Sequence, residues 1–339
     1  MRYLLTVFCC ALVVCALPAA NAVASHVQCG DVITQDTTLD SDLVDCPGDG
    51  IVIGASDVTL DLAGHTIDGT GLDAGNQGVE NNGADNVTVV NGRIQQFQAA
   101  VSVLLAGANE FRGLSLADSG IGIYAEDSSA TRIEGNEVTS SDAGVLLFRE
   151  GSFNEVVGNS VSGAETGIFL AGFGSEALQH TLVADNRVFE NVTGMLVAIP
   201  RDSVIMRNHV TRNAAEGIIE AGIRSRIDGN VVSGNGTFGI QVAGLSTSSE
   251  IIDNRTWDNG GDGVFVGEGP GGVSVTGNFS KGNADDGIDV ERPNVTLTDN
   301  KAIHNGDFGI EAVPGVTDGG GNKAAGNGNP AQCLNVSCR

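Results

Sequence analysis

A chain of 339 residues with 42 acidic and 17 basic side chains carries a formal charge of −25, which the phosphates of a nucleic acid would repel. Its 49 glycines, 4% aromatic content and 17% charged content would read as disorder if they were unpatterned. They repeat instead with a period near 22 residues, and a period of that size means a solenoid whose units bury their apolar faces only by stacking on neighbours.

Residues 1–22 open with Arg2, run apolar from Tyr3 to Leu17 and end in Pro-Ala-Ala-Asn-Ala at Ala22, the form of a cleaved export signal. The run is too short for a membrane span, and no later stretch approaches about 18 apolar residues. Cleavage takes away Cys9, Cys10 and Cys15 and leaves Cys29, Cys46, Cys333 and Cys338, two pairs near the two chain ends. An even number, an oxidising compartment and the lack of CxxC spacing favour disulfides over a metal. The expected pairs are Cys29 with Cys46 and Cys333 with Cys338, because the rod described next is too long for a bridge between its ends. Residues 23–50 and 317–339 are therefore expected to be stapled caps on a solenoid spanning 51–316.

The segment Arg226 to Val242, RIDGNVVSGNGTFGIQV, shows the repeat most clearly. Taking Asn230 as its reference, the same place is held by His65, Gly92, Leu114, Asn136, Asn159, Asn186, Asn208, Asn254, Asn278, Asn300 and Asn322, which predicts about twelve coils. Three residues earlier stands an aliphatic or aromatic side chain in eleven consecutive coils, from Leu62 through Ile227 to Leu297. β-Branched runs this short, broken by Asn and Gly, read as strands, three per coil, each pairing in parallel with its copy one coil away. Eleven steps of about 4.8 Å predict a rod roughly 53 Å long. Asparagines at a corner tolerate left-handed backbone, and their stacked amides bond to one another; a second ladder runs Asn191, Asn213, Asn235, Asn259, Asn283, Asn305, Asn327. Two coils carry insertions, around Gly69 to Asn76 and Ala171 to His180, and such loops can wall a binding surface.

The residue after each Gly-Ile or Gly-Val pair should point outward. Tyr124, Leu146, Phe169, Leu196 and Ile219 hold that place in five adjacent coils, an apolar stripe that marks a ligand groove, a surface for a second copy of the chain, or the seat of the 171–180 loop. Further along, Asp262, Asp285, Asp286, Asp289, Glu291, Asp307 and Glu311 crowd three turns, and stacking should bring Asp262 to Asp286 and Asp289 to Glu311. Like charges so close are protonated or bridged by a cation, and an all-carboxylate set at Asp262, Asp286, Asp289 and Glu311 selects Ca²⁺ over zinc.

The frame x-G/D-N-x-V…N…G-I-x-V, the opening VTLDLAGHTIDGTG and the ending DGGGNKAAGNGNPAQCLNVSC together resemble secreted bacterial right-handed parallel β-helix proteins of the NosD-like, carbohydrate-binding and sugar-hydrolase, pectate-lyase-like group. The resemblance covers residues 27–339 and implies an all-β, single-domain right-handed parallel β-helix that binds or processes an extracellular polysaccharide. Motifs of specific members are missing: no DPHD resembles the mannuronan epimerases, and the Gly64-His65 pair precedes Asp285-Asp286, the reverse of the polygalacturonase order. A Ca²⁺-dependent polyuronide lyase needs an Arg or Lys base beside acids, for which Asp286, Asp289 and Arg292 are the candidates. The reading from another class is a non-catalytic structural or adhesion solenoid that assembles through the apolar stripe. Whether the chain is an enzyme stays open on sequence alone.

Overall fold

Short β-branched runs between asparagines and glycines fold into strands of mostly three residues, 35 of them among the described residues, from Asp31–Ile33 to Lys323–Ala325. The computed structural model describes residues 26–72, 75–173 and 177–339; the export signal expected at residues 1–22 lies outside the described residues. Each coil contributes three strands to three faces. Arg226–Asp228, Val231–Ser233 and Ile240–Val242 form one coil, and Glu250–Ile252, Arg255–Trp257 and Val264–Val266 form the next. Pairing between them is parallel and in register, Ile227 with Ile251, Val232 with Thr256 and Ile240 with Val264. The 22-residue repeat maps residue onto equivalent residue one coil later, as a solenoid must.

The third face stacks thirteen strands, from Asp31–Ile33 to Ile310–Ala312, one more coil than the asparagine count predicts. The extra coil is residues 31–46, where Asp31–Ile33 pairs with Ile51–Ile53, and Leu43–Cys46 pairs with Thr66–Gly69, without a corner asparagine. Twelve steps give a rod of roughly 58 Å.

Both asparagine ladders are continuous and buried. In the first, the backbone N–H and the side-chain amide of each member donate to the Oδ1 of the next, from Asn136 through Asn230 to Asn322. The second runs from Asn191 to Asn327 and ends on Gln332, whose Oε1 accepts from the Asn327 N–H and Nδ2 as another asparagine would. Gln332 therefore terminates the stack chemically, and the Cys333–Cys338 bridge beside it and the Cys29–Cys46 bridge at the other end complete the closure. A third buried polar corner escapes the sequence reading. Here Val87, Thr131, Thr181 and Ser225 donate their N–H groups to Asn109, Asn154, Ser203 and Ser249, and mixed residue types hide the repeat.

The core is aliphatic over most of its length, with Ile227, Val232, Ile240 and Val242 fully buried. Beyond residue 250 it changes character. Thr256 and Ser280 stand where earlier coils have Val232, and their buried hydroxyls satisfy each other at 3.0 Å. The other break is Glu220, which sits in an inward row between Val197 and Val242 with no exposed surface. Its Oε1 accepts from the Gly222 N–H and the Ser249 hydroxyl, while Oε2 has no partner. Burial pushes this carboxyl up, against the opposing hydrogen bonds. A raised folded value means stability that is full below the unfolded value and lost as pH rises through the folded one. Glu220→Gln keeps the acceptor and removes the charge, so thermal scans should find the variant more stable by about 3 °C at alkaline pH and equal to wild type below the unfolded value of 4.5. An offset independent of pH would mean that Glu220 is not the titrating group.

Candidate functional site

Alternation along each third-face strand sends every second side chain outward, and parallel register aligns those side chains into rows. One row runs the length of the rod: Glu80, Ser102, Tyr124, Leu146, Phe169, Leu196, Ile219, Gln241, Phe265, Asp289 and Glu311 are paired successively. The five stripe residues expected from sequence are all in it, and all are half-buried. The row changes chemistry from aromatic and apolar at Tyr124 to acidic at Asp289.

At the acidic end the carboxylates of Asp286, Asp289 and Glu311 converge, with one oxygen of each within 4.8 Å of the others, and Asp262, Asp285 and Asp286 form a second such group. Asp289 and Glu311 are direct neighbours on adjacent strands. Asp262 and Asp286 lie one place before the corner glycines and are locked along the rod, Asp262 accepting the Asp286 N–H at 2.8 Å and Asp286 accepting the Phe308 N–H at 2.6 Å. Burial pushes Asp262 up to about 6 and Asp289 up to about 7, with the surrounding negative charge adding to both. Burial also drives Asp286 well up, against its backbone hydrogen bond. At neutral pH this cluster therefore holds protons. The rings of Phe238 and Phe265 stack 4.6 Å apart beside it. A cleft of about 260 Å³ opens along Asp289 and Glu311, and its far wall is Leu334 and Asn335 of the C-terminal tail, Asn335 Nδ2 donating to the Ala312 carbonyl.

Arg292 does not join these acids, which corrects its expected role as a base. It is 1% exposed and turns inward, where its guanidinium donates to the carbonyls of Ser246, Val242 and Ala243. Three residues along a strand end and its turn suffice to send Asp289 outward and Arg292 inside, so proximity in sequence did not translate into a shared face.

Residues that the sequence reading passed over stand two places beyond the stripe. Glu126 pairs with Leu104 and with Phe148 along the rod. Tyr124 donates its hydroxyl to Glu126, and Arg149 donates to the same carboxylate at 2.8 Å. Phe148 packs between Tyr124 and Phe173, at ring distances of 6.2 and 5.3 Å. Their signal was available, since period-two alternation makes Glu126 and Phe148 outward whenever Tyr124 and Leu146 are.

A model of the family described as periplasmic copper-binding protein (NosD) matches residues 29–213, more than half of the 339. The chain belongs to the NosD family. A second model, the right handed beta helix region, matches residues 219–334 of this NosD-family chain. Among solved structures it is similar to a double mutant of the periplasmic alginate epimerase AlgG, at 13% identity and TM-score 0.56 over 83% of this chain and 73% of that one. It is also similar to the Dettilon tailspike protein, at 19% identity and TM-score 0.58 over 90% of this chain and 61% of that one. The catalytic unit of the GH87 alpha-1,3-glucanase from Streptomyces thermodiastaticus strain HF3-3 matches at 15% identity and TM-score 0.50, over 89% and 65% of the two chains. These likenesses show the right-handed β-helix fold. No curated protein matches the chain.

The two disulfides and the family's periplasmic description fit a location outside the cytoplasm. No helix among the described residues is long and apolar enough to cross a membrane. The copper in the family description is not matched by the donors of this NosD-family member. Copper prefers imidazole, thiolate and thioether ligands. Among the described residues, the groups of three or more His, Cys, Asp or Glu side chains that could share an ion consist of Asp and Glu alone, and Cys29, Cys46, Cys333 and Cys338 are oxidised. Carboxylate groups of this kind can hold a hard cation.

The sign of the pH response follows from the raised carboxyls. Each stabilises the fold fully below its unfolded value of 3.8 and loses that contribution as pH rises through about 6 for Asp262 and about 7 for Asp289. The melting temperature should therefore be higher in mild acid than at alkaline pH, and Asp289→Asn should reduce the difference. A melting temperature that climbs steadily across that interval would contradict the assignment of protons to this cluster.

Proposed function

We propose that this chain is an exported glycoside hydrolase that holds a polysaccharide along the third face and cleaves it at Asp289 and Glu311. The observation that carries the reading is one half-buried carboxyl held near neutrality, Asp289, beside a second, Glu311, on the next coil, both lining one cleft, with Phe265 as the neighbour of Asp289 on the preceding coil. Glycoside hydrolysis needs that division of labour. Asp289 gives its proton to the glycosidic oxygen as that bond breaks, and the Glu311 carboxylate forms a bond to the anomeric carbon. Water then adds its OH to that carbon as the bond to Glu311 breaks, and its remaining proton returns to Asp289, so one water is consumed per bond. Carboxylate oxygens within 4.8 Å leave little room for an intervening water, which supports Glu311 as nucleophile and retention of configuration. Asp286 behind them is locked to the Phe308 N–H, and burial drives its own carboxyl well up.

The polyuronide lyase reading is supported less well, since burial removes Arg292 as its base. Its Ca²⁺ remains testable at the same carboxylates: millimolar CaCl₂ raising the melting temperature above ionic-strength-matched NaCl would support a cation there. Adhesion through the stripe is the remaining alternative, and it requires no turnover.

The deciding experiment incubates the mature protein with pullulan, laminarin, galactomannan and alginate, and follows new reducing ends together with the ultraviolet absorbance of an unsaturated uronate. Reducing ends without absorbance support hydrolysis. Absorbance growing with alginate would replace hydrolysis by elimination, and no product from any of them would leave a binding protein.

A further inference from the structure

We infer that the groove at Tyr124, Phe148 and Glu126 is a distal subsite for an uncharged pyranose ring, seven coils from the acids, which anchors the chain that the acids cleave. The inference rests on the hydrolase reading only for the identity of its ligand as a polysaccharide.

The groove encloses about 440 Å³ on the outer third face, floored by Ser102 and Leu146 and flanked by Gln98, Tyr124, Glu126 and Phe148. Its two rings are tilted by 40° with centroids 6.2 Å apart, so they form the sides of a trough rather than one flat plate, and Phe173 holds Phe148 upright by an edge contact. A pyranose offers an apolar face of C–H groups to rings and a rim of hydroxyls to polar side chains. The trough provides both, since the exposed Gln98 amide can donate and accept at its edge.

Charge decides between neutral and acidic sugars. The cation at this groove, Arg149, already donates to Glu126 at 2.8 Å and lies 3.9 Å from Asp127. Glu126 is in turn satisfied by the Tyr124 hydroxyl, and these contacts hold its carboxyl below the usual carboxylate range, so it is ionised at neutral pH. A uronate entering here would meet two carboxylates and one guanidinium already engaged, on a protein of formal charge −25. An uncharged ring meets no such repulsion.

Position makes the groove part of the same track. Tyr124 and Asp289 stand in one outward row, seven steps apart through Leu146, Phe169, Leu196, Ile219, Gln241 and Phe265, or roughly 34 Å. The intervening apolar stripe gives a polysaccharide a continuous surface between the two.

Affinity electrophoresis through native gels containing pullulan, laminarin, galactomannan or alginate tests this, using wild type, Asp289→Asn and the double variant Tyr124→Leu with Phe148→Leu. Leucine keeps the outward rows apolar and removes only the rings, and a melting scan checks that the double variant is folded. At least one neutral polysaccharide is expected to retard wild type and Asp289→Asn alike, with the apparent Kd of the double variant weakened about tenfold or more. The subsite is overturned if no neutral polysaccharide retards the wild type, if alginate retards it more than they do, or if the folded double variant is retarded as strongly as wild type. Retardation that depends on both rings without any cleavage would sustain the subsite and remove the hydrolase reading, whereas cleavage with ring-independent binding would do the reverse.

Discussion

Asp289→Asn is expected to lower the rate of hydrolysis by about 10² to 10⁴, the usual range for loss of a general acid. Asparagine has nearly the same shape and keeps the strand register with Glu311, but it has no proton to give the departing oxygen. Wild-type activity should fall as pH rises through about 7, where burial and the neighbouring charges have placed the Asp289 carboxyl. The variant should lose that limb of the profile. Glu311→Gln is expected to be equally slow, and Asp185→Asn, on a salt bridge with Arg207 far along the rod, is expected to leave the rate unchanged. Because the substitution at Asp289 relieves crowded negative charge, the slow variant should also melt no lower than wild type at alkaline pH. A variant that is slow because it is unfolded would fail that check, and a fully active Asp289→Asn would remove the acid from the mechanism.

The largest loss of stability is expected at Asn230→Ala. The side chain has no exposed surface; its Nδ2 donates to the Ile205 carbonyl at 2.9 Å and to Asn254 Oδ1 at 3.0 Å, and its Oδ1 accepts from the Asn208 N–H and Nδ2. Alanine leaves the Asn208 donors and the Ile205 carbonyl buried without those partners, each costing about 1 to 3 kcal/mol, so a loss of about 4 kcal/mol is expected overall. Asn76, whose amide donates to the Pro47 carbonyl at 3.3 Å near the surface, is the control, and Asn76→Ala should be nearly silent. Urea denaturation measures both: the Asn230→Ala midpoint should fall while the Asn76→Ala midpoint stays put. Similar small shifts from both would mean that neighbouring coils absorb a broken ladder.

These two expectations differ in how far the sequence carries them. Asn230 was legible because a 22-residue repeat converts distance along the chain into adjacency in space: whatever recurs at that spacing must stack. The same rule makes the outward row from Tyr124 to Ile219 readable, and it sets Asp289 beside Glu311 from spacing alone. It failed for residues outside the repeat. Arg292 follows the third strand, where the chain turns, and nothing in its spacing from Asp289 says that it folds under the coil to three backbone carbonyls. The third polar corner was missed because Asn109, Asn154, Ser203 and Ser249 do one job with different side chains, so chemistry repeats while letters do not.

Sequence by itself therefore determined the solenoid, its two amide ladders, the direction each strand residue faces and the meeting of the C-terminal acids, since all of these follow from a fixed period and parallel stacking. Tertiary structure alone decided which side chains beyond the repeat close the two ends of the groove. The C-terminal tail brings Leu334 and Asn335 to wall the acids, and the 171–180 insertion brings Phe173 against Phe148. The pKa values of Asp262 and Asp289 also belong to that second group, because their leading cause is burial, and how much water each carboxyl loses depends on the coils above and below and, for Asp289, on the wall made by the C-terminal tail.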